Sequence, residues 1–272
     1  MACALTALLA TPALAQTPAP DPAPATSNPD SRLDPLQPDF TLAALPTNLR
    51  MPKNRLAFRV THRFTRSLGR GDFGDLLSDF FGFDSGAQIG LELRYGLLPG
   101  TQIGVHRTST RDIQIFGQQS VLQQKPDGHP LSLDVLATFE GGDNTRGHKA
   151  GVIGVIVSRK VGKFAALYAE PMFVANSNGA DVDPENNTTM IGLGARVRVR
   201  PAMYLVGEIT PRVAGYQPGT DQASFGVEAR SGGHTFQINF SNGFGTTMRQ
   251  LSLGGVNKSS WFIGFNISRK FF

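Results

Sequence analysis

From residue 55 onward the chain alternates between apolar and polar positions over short stretches, which is typical of β-strands with two different faces. In the first stretch Leu56, Phe58 and Val60 share one face, and Arg59 and Arg63 share the other. Gly, Asn, Asp and Pro separate the stretches. The pattern predicts about twelve strands, at residues 56–64, 87–97, 101–108, 113–121, 131–140, 151–161, 164–175, 191–199, 203–212, 225–230, 235–241 and 261–271. The inward and outward faces of 113–121, 151–161 and 164–175 cannot be assigned from the pattern.

The connections between these strands alternate between long and short. Long connections are expected at residues 65–86, 141–149, 176–188, 214–222 and 242–258, and tight turns at 98–100, 159–163, 200–201 and 231–233. Long loops at one end and tight turns at the other are typical of outer-membrane barrels. We therefore predict an all-β fold, a single antiparallel transmembrane β-barrel formed by residues 51–272. Residues 75–83, in the first long loop, form either a helical turn over the barrel mouth or an aromatic loop at the membrane interface.

The alternation alone does not distinguish a membrane barrel from a soluble secreted one, because both have one apolar face. The loop asymmetry, a leader sequence and the C-terminus favour lipid outside. The chain ends on an amphipathic strand that resembles the assembly signal of bacterial outer-membrane barrels, and its apolar residues are Trp261, Ile263, Phe265, Ile267, Phe271 and Phe272. Phe272 falls outside the alternation that leads to Phe271.

Two segments precede the predicted barrel. Residues 1–15 have the apolar stretch and the small-residue cleavage site (Ala13-Leu14-Ala15) of a signal peptide, which predicts export. Residues 16–50 are rich in Pro, Ala and Asp and have no periodicity, so we expect a flexible periplasmic arm.

Composition and charge exclude several classes of function. No run approaches the roughly 18 apolar residues of a membrane-spanning helix. The 26 Lys and Arg exceed the 21 Asp and Glu by five, but they are dispersed, so nucleic acid is not an expected partner. Cys3 is the only cysteine, and the five histidines form no compact ligand pattern. We therefore expect neither a metal nor another cofactor.

The polar face of the strands is expected to line the lumen. Its predicted charged members are Arg59, Arg63, Glu92, Arg94, Arg196, Arg198, Glu208, Arg212, Glu228 and Arg230. One interpretation is a water-filled lumen that favours anions, since Arg and Lys set anion preference in pores. The other is a narrow lumen filled by arginine–carboxylate ladders, and twelve strands lie between the filled and the open sizes of barrel.

Ser241-Asn242-Gly243 is the one motif that suggests an enzyme. Outer-membrane phospholipases carry a His two residues before such a Ser-Asn-Gly, because the serine needs a base. Here that position is Asn239, and His234 lies seven residues before Ser241, on the opposite face of the strand. A turn explains the motif better, so we expect no catalytic residues.

Three segments resemble a known family. They are residues 45–68 (LPTNLRMPKNRLAFRVTHRFTRSL), residues 77–110 (LSDFFGFDSGAQIGLELRYGLLPGTQIGVHRTST) and the final WFIGFNISRKFF. They are similar to the bacterial β-barrel family known as domain of unknown function 5777. The resemblance extends over most of residues 45–272 and implies a membrane-bound barrel, without an activity or catalytic residues to carry over.

Together these features suggest a non-enzymatic barrel in the outer membrane of a Gram-negative bacterium, with both termini in the periplasm. The leading hypothesis is a small porin-like channel for polar or anionic solutes, and replacing Arg196 and Arg198 by Glu should then reduce anion preference. The alternative is a non-conducting barrel that docks a periplasmic partner through residues 16–50. A phospholipase-like enzyme ranks last. Outer-membrane lipid and the barrel assembly machinery are the other expected partners.

Overall fold

The structure, a computed structural model, describes residues 33–179 and 186–272. Most of these residues form one antiparallel sheet. Its strands are β1 (Leu56–Phe64), β2 (Ala87–Leu98), β3 (Thr101–Thr108), β4 (Ile113–Leu122), β5 (Ser132–Gly141), β6 (Lys149–Val161), β7 (Ala165–Ala175), β8 (Thr188–Arg200), β9 (Met203–Thr210), β10 (Arg212–Gly215), β11 (Gln222–Ser231), β12 (His234–Ser241) and β13 (Phe262–Lys270). Two short helices, α1 (Phe73–Ser78) and α2 (Met248–Ser252), lie in connections.

The sheet closes into a barrel because β1 pairs with β13 as well as with β2. β9 and β10 both pair with β8 and are separated only by Pro211, which has no N–H to give to the ladder. They form one barrel strand with a break, so the barrel has twelve strands. The predicted fold is confirmed, and most strand bounds agree with the alternation to within a few residues.

The two ends of the barrel differ in the length of their connections. Turns 99–100, 162–164, 201–202 and 232–233 lie at one end, together with the longer connection 123–131. We call this end the short-turn mouth. Connections 65–86, 142–148, 216–221 and 242–261 lie at the other end, the long-loop mouth, together with the shorter connection 109–112. Of the two alternatives for residues 75–83, part of the helical one is realised, because α1 begins after Asp72, whose side chain caps it by accepting a hydrogen bond from the Asp75 N–H.

The faces of the barrel are arranged as a lipid environment requires. On β2, Leu91 and Leu93 are each 46% exposed on the outside, while Glu92 and Arg94 are 5% and 4% exposed on the inside. In water this arrangement would be strongly unfavourable, because it exposes apolar surface and buries charge. The arrangement is stable when the barrel spans a membrane, because lipid then surrounds its apolar outer face.

The outward face yields a direct test. Replacing Leu91, near the middle of β2, by Arg is expected to lower the free energy of unfolding in lipid vesicles by about 2–4 kcal/mol. The matched control is Leu97→Arg, also outward but next to the short turn, where the cost falls to about 0–1 kcal/mol. Urea unfolding of both variants measures the difference. Equal costs would contradict a lipid-facing surface with Leu91 at its centre.

Of the three strands with unassigned faces, β6 and β7 are largely apolar on both sides, whereas the inward face of β4 carries Gln114 and Gln118 beside Phe116. Ile153 of β6 is exposed to the outside, while Ile156 of the same strand is fully buried inside. On β7, Phe173 faces out and Met172 faces in. The alternation disappears in β6 and β7 because their inward side chains are mostly apolar too. These side chains pack against another segment of the chain that lies inside the barrel.

The segment inside the barrel comes from residues 16–50, for which a flexible periplasmic arm was predicted. For the described part of this range, the prediction was wrong. Residues 33–51, which we call the plug, lie inside the barrel, and almost all of them are buried. Residues 1–32, with the predicted signal peptide and the rest of the arm, lie outside the described residues. The prediction failed because it considered only the entropy of ordering the segment. It did not consider the apolar and hydrogen-bonding surface that a lumen offers.

The plug is a hairpin that enters and leaves through the same mouth. Near its start the Pro35 carbonyl accepts a hydrogen bond from Tyr204, at the short-turn end of β9. At its end the Asn54 N–H donates to Gly96, beside the turn at 99–100. Between them the chain reverses, with the Leu42 N–H donating to the Leu45 carbonyl at 2.8 Å. The tip of the plug, residues 41–46, therefore points away from the short-turn mouth.

A second segment enters from the long-loop mouth. Residues 242–255, the inner loop, fold into the lumen and carry α2. The Met248 N–H donates to the Gln114 side chain on the wall, and the Gln222 side chain donates to the Gly245 carbonyl. Met248 and Leu251 join Leu42 and Leu45 of the plug in one buried apolar cluster. The barrel thus has a solid core, built from two segments that meet inside it.

Candidate functional site: the plugged lumen

All ten charged residues predicted to line the lumen lie on the inward face of their strands. Arg198 and Arg230, near the short-turn mouth, are half-buried, and the other eight are buried. Arg212 holds the loops at the opposite mouth, where it pairs with Asp221 and donates to the carbonyls of Pro218 and Leu253. The other seven charged residues lie in the inner part of the lumen.

Ion pairs along the wall neutralise much of this charge. Glu92 accepts hydrogen bonds from Arg59 at 2.8 Å and from Arg94 at 3.0 Å. Arg196 and Glu228 form a fully buried pair at 3.0 Å. The arginine–carboxylate ladder expected in the filled-lumen interpretation is therefore present in this conformation.

Glu208 holds the tip of the plug. Its carboxylate accepts hydrogen bonds from the backbone N–H groups of Ala43, Ala44 and Leu45, each at 3.0 Å. Glu208 is the sixth residue of β9, so at 3.3 Å per residue this contact lies about 17 Å along the strand from its short-turn end. Hydrogen bonds to a charged acceptor are the stronger kind, and the carboxylate therefore acts as a latch.

Donors on β8, β12 and β13 hold the carbonyl groups of the tip. Arg196 donates to the Thr41 carbonyl at 2.7 Å, and Asn266 donates to the Ala43 carbonyl at 2.8 Å. Gln237 donates to the Leu42 carbonyl at 3.1 Å. Buried backbone without partners would be unstable, and these side chains supply partners that a strand or helix would otherwise give.

Asp39 connects the plug to the last strand. Its carboxylate accepts a hydrogen bond from Ser268 at 2.8 Å and lies 3.2 Å from the Lys270 ammonium. Burial acts to raise the pKa of Asp39, but Lys270 and Arg196 outweigh burial and hold that pKa below its ordinary value. The carboxylate is charged at neutral pH, which stabilises the plug in the lumen.

Two glycines of β8 make room for the plug. The position that a Cβ would take on Gly192 lies 2.8 Å from Cδ2 of Leu45, and a Cβ on Gly194 would collide with Leu42. A side chain at either position would push the tip away from the wall. The pair of glycines is therefore a niche for the two leucines of the tip.

Little space remains where the tip of the plug meets the inner loop. The cavity there has a volume of about 20 Å³, and both segments contribute to its lining, with Ala44 from the plug and Met248 from the inner loop. This is room for a water molecule, since one water needs roughly 10–15 Å³. The lumen is closed to solutes in this conformation.

The predicted C-terminal signal residues lie on β13 and just after it. Trp261, Ile263, Phe265 and Ile267 follow the outward phase, and Phe271 is exposed. Phe272 instead turns towards the plug and packs on the cluster of Leu33, Phe40, Leu49, Met51 and Ala57. Its departure from the alternation is explained by this contact with the plug.

The Ser-Asn-Gly motif has a structural role. The Ser241 hydroxyl is engaged by the Ser224 hydroxyl and by the Gly243 N–H, and Asn242 binds the backbone of Asp221 and Ala223. These bonds direct the chain into the inner loop. Within residues 33–179 and 186–272, no cluster of three His, Cys, Asp or Glu could hold a metal ion. No helix in the same ranges is long and apolar enough to cross a membrane.

Sequence reasoning missed the plug, although two signals pointed to it. Phe40, Leu42 and Leu45 form an apolar island inside a segment otherwise rich in Pro and Asp. Gly192 and Gly194 alternate on the inward face of β8, where small residues leave space for another chain. Each signal alone is weak, and only their contact in the folded barrel connects them.

Comparisons with known proteins agree with this architecture. A family model described as a membrane bound beta barrel domain (DUF5777) matches residues 39–271, a range that includes the tip of the plug. The NanC porin matches with a TM-score of 0.53 and 10% identity, over 79% of this chain and 100% of that chain. An outer membrane channel from Pseudomonas putida F1 matches with a TM-score of 0.52 and 10% identity, over 81% and 97%. At this identity the likeness concerns the fold. The search of curated proteins gave no match.

Proposed function

The chain belongs to the DUF5777 family of membrane-bound β-barrels, and on that premise we propose that it is a porin-like channel whose own plug holds it closed. Its solutes are small polar molecules, with a preference for anions. The carrying observation is the plug itself, a hairpin held in the lumen by the Glu208 latch and by Arg196. Both of its ends leave through one mouth, so it can withdraw without being threaded through the barrel.

The contacts of the plug are all non-covalent. They combine hydrogen bonds and ion pairs to the wall with two apolar clusters, and no disulfide is available, because the only cysteine is Cys3. If the plug leaves, Arg59, Arg63 and Arg94 line one side of the lumen, which supports an anion preference. The engagement of Ser241 in loop structure supports the non-enzymatic part of the proposal.

The proposed location is the outer membrane of a Gram-negative bacterium, in contact with its lipid. Short turns of such barrels face the periplasm. Leu33 and Phe272 both lie in the cluster beside the start of β1 at the short-turn mouth, which supports periplasmic termini. Assembly by the barrel assembly machinery through residues 261–272 is part of the same proposal. Docking of a periplasmic partner through residues 16–50 is less favoured, because residues 33–50 are occupied inside the barrel.

Locking the plug tests the channel proposal. The variant Leu45→Cys with Gly192→Cys places one thiol on the plug tip and one on the wall, where a Cβ on Gly192 would lie 2.8 Å from Cδ2 of Leu45. We expect brief openings of the wild-type full chain in a planar bilayer and none from the oxidised variant. Reduction of the disulfide should restore the openings. Under a salt gradient, the reversal potential of the open channel should shift from zero towards the equilibrium potential of the anion. Each single cysteine variant is a control for the effect of substitution.

Two results would contradict the proposal. If the oxidised double variant conducts like the reduced one, solutes do not need the plug to move. If the wild-type chain is folded, as shown by its heat-modifiable migration on a gel, and never conducts, the barrel is not a channel.

A further inference from the structure

The buried apolar side chains of the inner wall are concentrated on one part of it, and its Arg and Lys side chains mainly on another. The first part, which we call the apolar side, comes from six neighbouring strands, β4 to β9, where the apolar residues alternate with buried polar and charged ones such as Glu170 and Glu208. Its members include Phe116, Leu136, Ile156, Met172, Met190 and Val206. The second part, the charged side, comes mainly from β1, β2 and β13, with Arg59, Arg63, Arg94 and Lys270. The lumen of a channel for purely polar solutes is polar throughout, so the apolar side requires another explanation.

The plug shows what kind of molecule fits between the two sides. Its leucines Leu36, Leu42 and Leu45 lie in the apolar cluster. Its oxygen atoms face the donors, with the Thr41 hydroxyl accepting from Arg59 at 2.7 Å and the Ala43 carbonyl accepting from Arg63 at 3.4 Å. The tip is thus an amphipathic occupant: its leucines lie on the apolar side and its oxygen atoms face the donors, while its N–H groups bind Glu208.

Arg94 lies where the two sides meet. Its guanidinium stacks over the ring of Phe116 on the wall, 4.5 Å from the ring centroid, and over Phe40 of the plug at 4.9 Å. The cavity between plug and inner loop is lined by Arg59, Arg94 and His106 together with Phe116 and Leu136. An anionic group and an apolar group of one small molecule can therefore contact both sides at once.

We propose that the solute of this channel is an amphipathic organic anion, which takes the place of the withdrawn plug tip. This inference rests on the proposed channel function and narrows it. The anionic group binds the arginines that now hold Thr41 and Ala43, and the alkyl or aryl part lies on the apolar side. Charge complementarity and the seated plug both support this occupant.

Alkyl sulfonates are suitable probes, because they stay charged at all pH values near neutrality. In single-channel recordings of the full chain, hexanesulfonate should interrupt the current at a concentration about tenfold or more below that of methanesulfonate. Burial of two methylene groups on the wall suffices for that factor. Hexyltrimethylammonium has the same tail and the opposite charge, and it should not interrupt the current in this range.

A matched pair of variants tests the apolar side. Ile156→Gln puts an amide on the wall and should remove most of the difference between the two sulfonates. Ile156→Met introduces a side chain that is similar in shape to Gln but has no amide, and it should keep the difference between the two sulfonates. If hexanesulfonate and methanesulfonate act equally on an anion-selective wild-type channel, the amphipathic solute is ruled out while the channel stands. If the folded chain never conducts, the channel function itself fails, and this inference fails with it.

Discussion

Replacing Glu208 by Gln is expected to raise the ratio of open to closed channel about 100-fold in planar-bilayer recordings. The carboxylate accepts three backbone N–H groups of the plug tip, whereas an amide offers one oxygen and turns its own N–H groups towards the same donors. A hydrogen bond to a charged group contributes about 1.5–3 kcal/mol net. Losing about 3 kcal/mol corresponds to two factors of ten in the equilibrium.

Glu170 supplies the matched control for this experiment. It is a fully buried carboxylate on β7, two strands away from Glu208 in the sheet, and neither of its oxygens has a hydrogen-bond partner in the structure. Glu170→Gln makes the same carboxyl-to-amide change on the lumen wall at a side chain that makes no hydrogen bond to the plug, so opening should not increase. Equal opening of the two variants would show that loss of a buried carboxyl group in general, and not loss of the latch, releases the plug.

Replacing Arg196 by Met is expected to lower the free energy of unfolding by about 3–5 kcal/mol, because it leaves the Glu228 carboxylate charged and unpaired in the lumen. The two side chains are fully buried and 3.0 Å apart. The Thr41 carbonyl of the plug loses its donor as well. Urea unfolding in lipid vesicles measures the effect.

Removing both charges should restore most of this loss. Arg196→Met with Glu228→Leu leaves no unpaired charge, and replacing a buried pair by apolar residues is often neutral. Arg198→Met is the control on the same face, since Arg198 is half-buried and donates only to the Pro201 carbonyl among the contacts described. Its cost should stay within about 0.5 kcal/mol. A double variant as unstable as Arg196→Met would contradict the role assigned to Glu228.

The buried pair also changes the test of anion preference by charge reversal at Arg196 and Arg198. Glu at position 196 would face Glu228 in the core of the lumen, and the result would report on folding before it reported on selectivity. Arg198, close to the short-turn mouth, is the better position for charge reversal.

The barrel could be predicted from the sequence because each strand shows its own alternation of apolar and polar residues, which does not depend on distant parts of the chain. Alternation in β1, β2 and β13 fixes which side chains face lipid, and the register follows, since a slip of one residue would exchange the two faces. The ten charged residues on the inward face follow from the same period. In β6 and β7 the pattern failed for a physical reason, namely that apolar residues occupy both faces.

The sequence by itself therefore determined a closed sheet with lipid outside, a polar and charged inward face over much of the wall, and a membrane-bound family. What fills the lumen was decided only by tertiary structure. Leu42 and Leu45 gain their stability from residues more than a hundred positions away, such as Gly192 and Glu208. Hydrogen bonds of an irregular segment have no period, so the closure of the lumen can be recognised only where plug and wall are in contact.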